Sequence, residues 1–389
     1  MSADWIYLDY AATTPVDPRV AETMQRHLGA DGLFANPSAL HLAGRASAAA
    51  IQSAAESLAQ LVNCDPGRLL WTSGATESNN LAIQGVARSR AHQGKHLVTM
   101  PTEHKAVTDV YRALEKDGFE VTWLKPSPGG VLDPASLEAA LRSDTQLVSI
   151  MYVNNETGAV QDIETLGGLC REHGVAFHVD AAQAIGKLKF DITALEVDLV
   201  SMSAHKLYGP KGVGALYVRK RDGLNPDPLL FGGAQQGRLR PGTLPVHLIA
   251  GFGHAASLAR ELMLDDFTHV KALCDRLWRG IQSVPGLLRN GDEASCYPGI
   301  LNVSVDGLEG ESLLLALEPL CVSTGSACNS QSQEPSGVLR AMGVPDSLAE
   351  SAIRFSFGRT TSEAEVETAA VIYRAAVSKL KDLLPEAPE

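Results

Sequence analysis

The 389-residue sequence lacks the features that mark several large classes of protein. No stretch approaches the ~20 consecutive apolar residues that a membrane-spanning helix needs. The first residues, MSADWIYLDYAATTP, do not show the basic and apolar pattern of a secretion signal. Positive charge is also scarce, since 33 Lys and Arg stand against 45 Asp and Glu. The resulting net charge of −12 argues against nucleic acid or an anionic membrane as a main partner.

Cysteine is sparse and scattered. The six cysteines are Cys64, Cys170, Cys274, Cys296, Cys321 and Cys328. None forms a C-x-x-C pair, so the spacing indicates neither a zinc site nor a thioredoxin-like redox couple, and a disulfide framework is not expected at this density. We therefore expect a cytoplasmic protein with reduced thiols, no bound metal, no direct contact with nucleic acid and no membrane association.

Strand-like and helical patterns alternate between about residues 50 and 220. Apolar runs such as TQLVSIMYV, VAFHVD and GVGALYV are typical of buried strands, and AGRASAAAIQSAAESLAQLV is typical of a helix. Strands alternating with helices of this length predict βαβ units. We therefore expect an α/β fold whose mostly parallel sheet is covered by helices.

The pattern changes near residue 261. A long helix, a short apolar strand and a final helix follow, which is typical of a smaller α+β domain. We expect a large domain over residues 15–260 and a small domain formed by residues 1–14 and 261–389.

Lys206 is the residue whose position points most directly to chemistry. It follows the strand-like run VSMS, and a Gly/Pro-rich turn comes after it. Desolvation of a lysine in a packed, strand-rich region lowers the pKa of its amine and makes it nucleophilic. Pyridoxal 5'-phosphate (PLP) is the cofactor that most often uses such an amine, through a Schiff base. Read alone, the position also fits a surface lysine before a turn.

Other polar residues follow predicted strands, where open α/β folds bind ligands. TSGATESNN places Ala75 and Thr76 where backbone N–H groups at a helix start can hold a phosphate, although a plain capped helix fits equally. In HVDAAQA, Asp180 could keep a pyridine nitrogen protonated, with Gln183 three residues later, or could simply cap a helix. A phosphate loop, a strand-end Asp and Ser-x-His-Lys, in this order, are the arrangement of fold-type I PLP enzymes.

Three further motifs are individually ambiguous. His104 in TEHKAV lies at a strand-to-helix junction, where a histidine is more often structural than catalytic. Asn155 in NNETG follows an apolar run, and the motif also fits a plain turn. Thr243 in RPGTL could reach a phosphate or only terminate a strand.

Motifs along nearly the whole chain resemble those of a known family. They are YLDYAATTP, NPSALHLAG, TSGATESNNLAI, TEHKAV, NNETG, FHVDAAQAIGK, SAHKLYGPKG, RPGTLPV, STGSAC and IRFSFGR. The sequence is similar in these motifs to the cysteine desulfurases of the class V aminotransferase family, in the IscS/NifS-like group. The resemblance implies a fold-type I PLP-dependent transferase that forms a homodimer.

The resemblance also implies roles for individual residues. PLP would be bound covalently by Lys206, with its ring nitrogen at Asp180, its phenolic oxygen near Gln183 and its ring stacked on His104. The groups expected around its phosphate are Ala75, Thr76, Ser203, His205 and, from the other subunit, Thr243. Asn155 and Arg354 would hold the substrate, and the family's pattern also brings Asn155 to the cofactor.

Cys328 is the residue that selects the reaction. It lies in STGSACNS, within a predicted loop over about residues 323–332, and its small neighbours offer no apolar packing. Cys321, among leucines, fits a core position instead. The resemblance implies that Cys328 takes sulfur from L-cysteine as a persulfide, releases L-alanine and passes the sulfur to an acceptor protein.

Several alternatives remain at this stage. A selenocysteine lyase or a β-eliminating cysteine lyase would keep PLP, and so would a transaminase, which would not need Cys328. A PLP-free binding or scaffold protein could retain the fold. The acceptor is equally open between an iron–sulfur scaffold, a tRNA-thiolation relay, nitrogenase maturation and DNA phosphorothioation.

Overall fold

The computed structural model describes residues 5–324 and 335–383. Its strands are, in chain order, β1 (Ile6–Tyr7), β2 (Leu69–Thr72), β3 (His96–Thr99), β4 (Glu120–Trp123), β5 (Thr145–Ser149), β6 (Ala176–Asp180), β7 (Leu199–Ser203), β8 (Gly214–Val218), β9 (Leu287–Asn290), β10 (Ile300–Val305), β11 (Leu320–Cys321), β12 (Ser323–Thr324) and β13 (Ile353–Ser356). These strands form three separate sheets.

Helices surround the sheets. The α-helices are α1 (Pro18–Gln25), α2 (Leu42–Val62), α3 (Ala75–Ser89), α4 (Lys105–Lys116), α5 (Pro134–Ala140), α6 (Ile163–Glu172), α7 (Val246–Ile281), α8 (Gly310–Ala316), α9 (Gly337–Ala341), α10 (Asp346–Glu350) and α11 (Glu363–Asp382). Short 3-10 helices occupy Pro66–Arg68, Ala204–Lys206, Gln235–Arg238 and Glu293–Ser295. No helix in the described ranges is long and apolar enough to cross a bilayer.

A seven-stranded sheet forms the centre of the molecule, in the order β2-β8-β7-β6-β5-β3-β4. Only β8 runs against its neighbours, and the other adjacent pairs are parallel. Every residue of β3, β5, β6 and β7 is buried, because helices cover both faces. The predicted α/β fold with a mostly parallel, helix-covered sheet is confirmed.

The remaining strands lie beside this sheet. A four-stranded sheet has the order β12-β13-β10-β9, and β1 pairs with β11. Helix α7 packs against α1 and α2 and also against α11. It begins at Val246, upstream of the predicted start near 261, and runs through the predicted domain boundary at 260 without a break. The division into two domains at that position stays a prediction.

The sheet places two loops of the site side by side. Gly214, the first residue of β8, pairs with Thr72 at the end of β2 and with Ser203 at the end of β7. A Cβ at Gly214 would lie 2.6 Å from the Cα of Gly74 and 2.6 Å from the carbonyl oxygen of Met202. Only glycine therefore allows the loop before α3 to approach the sheet this closely.

We predict that Gly214→Ala destabilises the protein by about 1–3 kcal/mol, because backbone atoms must move to admit the methyl group. Urea unfolding of the purified variant would measure this loss. Gly168→Ala is the matched control, since a Cβ at this helical position on α6 meets nothing within 4 Å. The control should be neutral or slightly stabilising, and equal midpoints for both variants would contradict the close approach.

Candidate active site

A cavity of about 880 Å³ opens at the carboxyl edge of the central sheet. Strands that run in one direction end at the same edge, so the segments after β2, β3, β5, β6 and β7 meet there. The cavity wall contains ten of the residues that were predicted from the sequence, namely Ala75, Thr76, His104, Asn155, Asp180, Gln183, Ser203, His205, Lys206 and Arg354. The fold thus brings these residues to one place.

Lys206 lies on the short 3-10 helix that follows β7. Its Nζ donates to the carbonyl oxygens of Ala11, at 2.5 Å, and Ala12, at 2.7 Å. Thr14 ties the same N-terminal segment to the neighbouring residue, because its backbone N–H donates to the carbonyl of His205 at 2.9 Å. The amine is therefore held in the cavity wall by a segment that lies almost two hundred positions away in sequence.

Asp180 ends β6 and is 5% exposed. Its carboxylate accepts from Asn79 Nδ2 at 2.7 Å and from the backbone N–H of Ala182 at 2.9 Å. Gln183 follows on the same turn, and its Nε2 donates to the carbonyl of Ala11 at 2.7 Å. These hydrogen bonds fix the position of the carboxyl group in the cavity wall.

A buried row of polar side chains lies next to Asp180. His178, two residues earlier on the same face of β6, contacts Ser149 Oγ on β5 at 2.6 Å and Ser201 Oγ on β7 at 2.9 Å. Burial lowers the pKa of His178 to about 4. The neutral imidazole links three neighbouring strands just before their ends, which fixes the spacing of the loops that carry the site.

The start of α3 provides an anion-binding element. Gly74 precedes the helix and provides no side-chain cap for the backbone N–H groups of the first turn, and Gly74, Ala75 and Thr76 line the cavity. Ser203, 2% exposed, and His205 lie nearby across β8. Burial, and to a lesser degree the charge of Lys206, lowers the pKa of His205 to about 4. A neutral imidazole, a hydroxyl and a helix N-terminus are suitable partners for a phosphate.

His104 is the N-cap of α4, and its Nδ1 accepts from the backbone N–H of Ala106 at 3.0 Å. An accepting Nδ1 carries no proton, so the ring proton belongs on Nε2. Asn154 fixes this junction, because its Nδ2 donates to the carbonyl of Thr102 at 3.0 Å. The cap and this bond orient the imidazole in the cavity wall.

Arg354 lies on β13 of the four-stranded sheet, and its side chain lines the cavity. Its NH2 pairs with Asp9 Oδ1 at 2.7 Å, and its NH1 donates to the carbonyl of Asn155 at 2.8 Å. Its Nε is buried and has no hydrogen-bond partner among the described residues. The guanidinium lines the cavity, and arginine is well suited to bind a carboxylate.

The acidic residues of the wall that were not identified from the sequence include Glu103 and Glu156. Glu103 is 4% exposed; its Oε1 accepts from the backbone N–H of Met151 at 2.7 Å, while its Oε2 has no described partner. Burial, and then the nearby charge of Asp180, raises the pKa of Glu103 well above the usual range. Burial also raises the pKa of Glu156 to about 7, although Ser336 donates a hydrogen bond to it. No local pattern separates these glutamates from ordinary cap and turn residues.

One predicted site residue among the described residues, Thr243, does not line the cavity. Thr243 is exposed and lies outside the cavity of its own chain. Its loop is held by an ion pair between Arg240 Nε and Glu77 Oε1, at 2.7 Å, at the start of α3. Cys328 lies outside the described residues. Cys321, predicted as a core cysteine, is half-buried on β11.

Comparisons with known proteins place the fold and the site in a family. The model of the class-V aminotransferase family matches residues 6–368. A cysteine desulfurase IscS from Pectobacterium carotovorum is 52% identical over 381 residues, which cover 98% of this chain and 94% of that protein. A solved NifS-like protein superposes with a TM-score of 0.90 at 34% identity and covers 97% of this chain. A structure described as SspA in complex with cysteine has a TM-score of 0.80 at 37% identity over 92% of the chain.

The chain therefore belongs to the class-V aminotransferase family and, within it, to the cysteine desulfurases. The match is specific at the level of the subgroup, because the identity to an IscS protein extends over nearly the full length of both chains. The family predicted from the motifs, and the enzyme class with it, are confirmed.

The state of Glu103 can be tested through stability. A carboxyl group with a raised pKa keeps its proton in the folded protein, so stability falls as pH rises above ~4.3, where the unfolded chain releases the proton. Glu103→Gln removes this loss of stability with rising pH. Each unit of difference in pKa between the folded and the unfolded protein corresponds to about 1.4 kcal/mol in the free energy of unfolding. We predict that the variant gains about 1 kcal/mol or more relative to wild type between pH 4.5 and pH 7.

Urea unfolding at the two pH values would measure this gain. Glu138→Gln, at an exposed position on α5, is the control and should show no such change. If the stability of Glu103→Gln relative to wild type falls as pH rises, the carboxyl group of Glu103 is ionised in the folded protein.

Proposed function

We propose that this cysteine desulfurase uses PLP to convert L-cysteine to L-alanine and transfers the sulfur first to Cys328 and then to an acceptor protein. One observation carries the proposal: a single cavity is lined by an amine, a buried carboxylate, the start of a helix and an arginine. These are the groups that PLP and an amino-acid substrate require.

The chemistry of the donor set fits PLP. Ala75, Thr76, Ser203 and His205 would hold the phosphate, together with Thr243 of a second subunit. Lys206 would bind the cofactor covalently, Asp180 would face its ring nitrogen and Gln183 its phenolic oxygen. His104 would lie against the ring, and Asn155 would contact both cofactor and substrate. When bound, PLP withdraws electrons from the substrate carbon that loses a proton.

The chain's own residues orient the substrate and move its protons. The guanidinium of Arg354, which lines the cavity, would bind the carboxylate of L-cysteine, and Asn155 would flank it. Lys206, once displaced by the substrate amine, would accept the proton from Cα as a general base. His104 would exchange a proton with substrate through Nε2, because its Nδ1 accepts from the backbone N–H of Ala106 at 3.0 Å.

The sulfur transfer is assigned to Cys328 on the motif STGSAC. Its thiolate would form an S–S bond with the substrate sulfur, while the bond between that sulfur and the substrate Cβ breaks. The electron pair stays on the carbon side, which takes up a proton and leaves as alanine. No external oxidant or reductant is needed, because the persulfide and the reduced carbon balance one another.

A homodimer would complete the site. Large apolar side chains are exposed on the segment between α1 and α2 and beyond β8, among them Leu40, at 88%, and Phe231, at 86%. Exposed apolar surface of this kind marks association surfaces. A second copy is the occupant that we propose, and it would receive Thr243 beside its own α3. We further propose a cytoplasmic location and an acceptor protein in iron–sulfur assembly or sulfur relay.

We predict that Cys328→Ser abolishes alanine and persulfide formation but keeps the visible absorbance of bound PLP, because the thiol takes no part in holding the cofactor. Incubation with L-cysteine followed by mass spectrometry locates the added sulfur. Cys321→Ser is the matched control and should keep near-normal turnover. Sulfur on Cys64, Cys274 or on no cysteine would refute the assignment, and pyruvate in place of alanine would indicate β-elimination.

Hybrid dimers test the shared site. We predict that Lys206→Ala is inactive and that Thr243→Val weakens PLP binding about fivefold, the equivalent of one hydrogen bond of ~1 kcal/mol. Co-expression of differently tagged chains should give a hybrid with one intact site, because one chain supplies Lys206 and the other Thr243. At limiting PLP the hybrid should show up to half of wild-type activity, and no recovery beyond the Thr243→Val homodimer would contradict the shared arrangement.

A further inference from the structure

Lys187 is a second lysine next to the cavity, and the mechanism above does not use it. It follows the turn after β6, in the motif FHVDAAQAIGK. Its Nζ donates to Gln183 Oε1 at 2.7 Å and lies 5.7 Å from the centre of the Tyr297 ring. It also lines a small internal cavity of about 20 Å³ together with Lys206. The ammonium is thus directed inward.

The surroundings of Lys187 disfavour its charge. Within residues 5–324 and 335–383 no carboxylate forms an ion pair with it, and the acid nearest in the small cavity, Asp266, is paired with Arg359 at 2.8 Å. Burial, and then the charges of Lys206 and Arg354, lowers the pKa of Lys187 to about 7. The titratable and charged groups that face it from the packed elements are Lys206, His205, Arg354, Tyr208, Tyr297, Asp266 and Arg359.

Lys187 determines how the amide of Gln183 is turned. An ammonium can only donate, so the amide must present Oε1 to it, and Nε2 then points the other way. The opposite contact agrees, because Nε2 donates to the carbonyl of Ala11, which also accepts from Lys206. A continuous hydrogen-bonded path therefore joins the two lysines through Gln183 and Ala11.

We infer that Lys187 is a positioning residue: it fixes the amide of Gln183 so that the NH2 group faces the phenolic oxygen of PLP, and it places a second positive charge beside Lys206. This inference rests on the proposed use of PLP. The positive charge disfavours a proton on the nitrogen of Lys206, in the free amine and in its covalent link alike.

The test is a pH titration of the visible absorbance of the holoenzyme, which a purely structural role would not move. In Lys187→Met the apparent pKa of the chromophore should rise by about 0.5–1 pH unit, because a neighbouring cation is removed. Lys189→Met, an exposed lysine two positions further on, is the matched control and should titrate like wild type. Identical titrations for wild type and Lys187→Met would overturn the inference.

Measurements of PLP affinity distinguish the effect of Lys187 on the orientation of Gln183 from the effect of its positive charge. Lys187→Met should weaken PLP binding about fivefold, because the orientation of Gln183 is lost. In a Gln183→Ala background, Lys187→Met should not weaken PLP binding further, whereas the shift in the absorbance titration should persist. Equal weakening in both backgrounds would contradict a role through Gln183. If Lys187→Met does not fold, Lys187→Gln keeps a donor without the charge and supports the same titration.

Failure of the proposed function and failure of the inference about Lys187 would give different results. A wild-type protein that binds no PLP has no visible band to titrate, which overturns the proposed function itself. A wild-type band with a titration that Lys187→Met leaves unchanged overturns only the inference about Lys187.

Discussion

The geometry of the site depends on the hydrogen bonds that the carbonyl oxygen of Ala11 accepts. It accepts from Lys206 Nζ and from Gln183 Nε2, at 2.5 and 2.7 Å. The backbone N–H of the same residue donates to Ser356 Oγ, at 2.8 Å, at the end of β13. One residue near the N-terminus thus joins the amine, the amide and the strand that carries Arg354. These groups come from segments far apart in sequence, and their spacing is set by a backbone atom that substitution of the Ala11 side chain would not remove.

Charge in the cavity follows a simple pattern. The basic residues in its wall are Lys105, Arg112, Lys206, Lys211 and Arg354. Asp180 and Asp9 contribute carboxyl groups that are each bound by donors. The raised pKa of Glu103 keeps a further negative charge away from Asp180. The net effect is a site that attracts phosphate and carboxylate groups in a protein whose overall charge is −12. The binding of two anionic groups that we propose would depend on this local arrangement of charges, since the net charge of the protein opposes it.

The fold and most of the cavity wall could be predicted from the sequence, because the central sheet is mostly parallel. Strand ends of one direction lie at one edge, so residues that follow strands, such as Asp180, His104 and Lys206, could be expected to meet. Two contacts could not be predicted in this way, namely the one between Lys187 and Gln183 and the one between Asp9 and Arg354. They depend on how segments approach one another in three dimensions and on which atoms remain buried without partners. Glu103 illustrates the difference, because next to His104 it resembles an ordinary residue before a helix, and only its burial reveals its altered pKa.

Helix α7 has a mechanical consequence. Its 36 residues form one continuous rod of about 54 Å, which packs against α1 and α2 and also against α11. A helix without a kink is stiff, so α11 and the sheet that carries Arg354 are braced against the body of the molecule. Tilting of that sheet would have to break side-chain packing along the rod, because no hinge interrupts it. Phe355, next to Arg354 on β13, packs against Tyr373 of α11, so α7 acts as a strut that links the strand of Arg354 through α11 to α1 and α2.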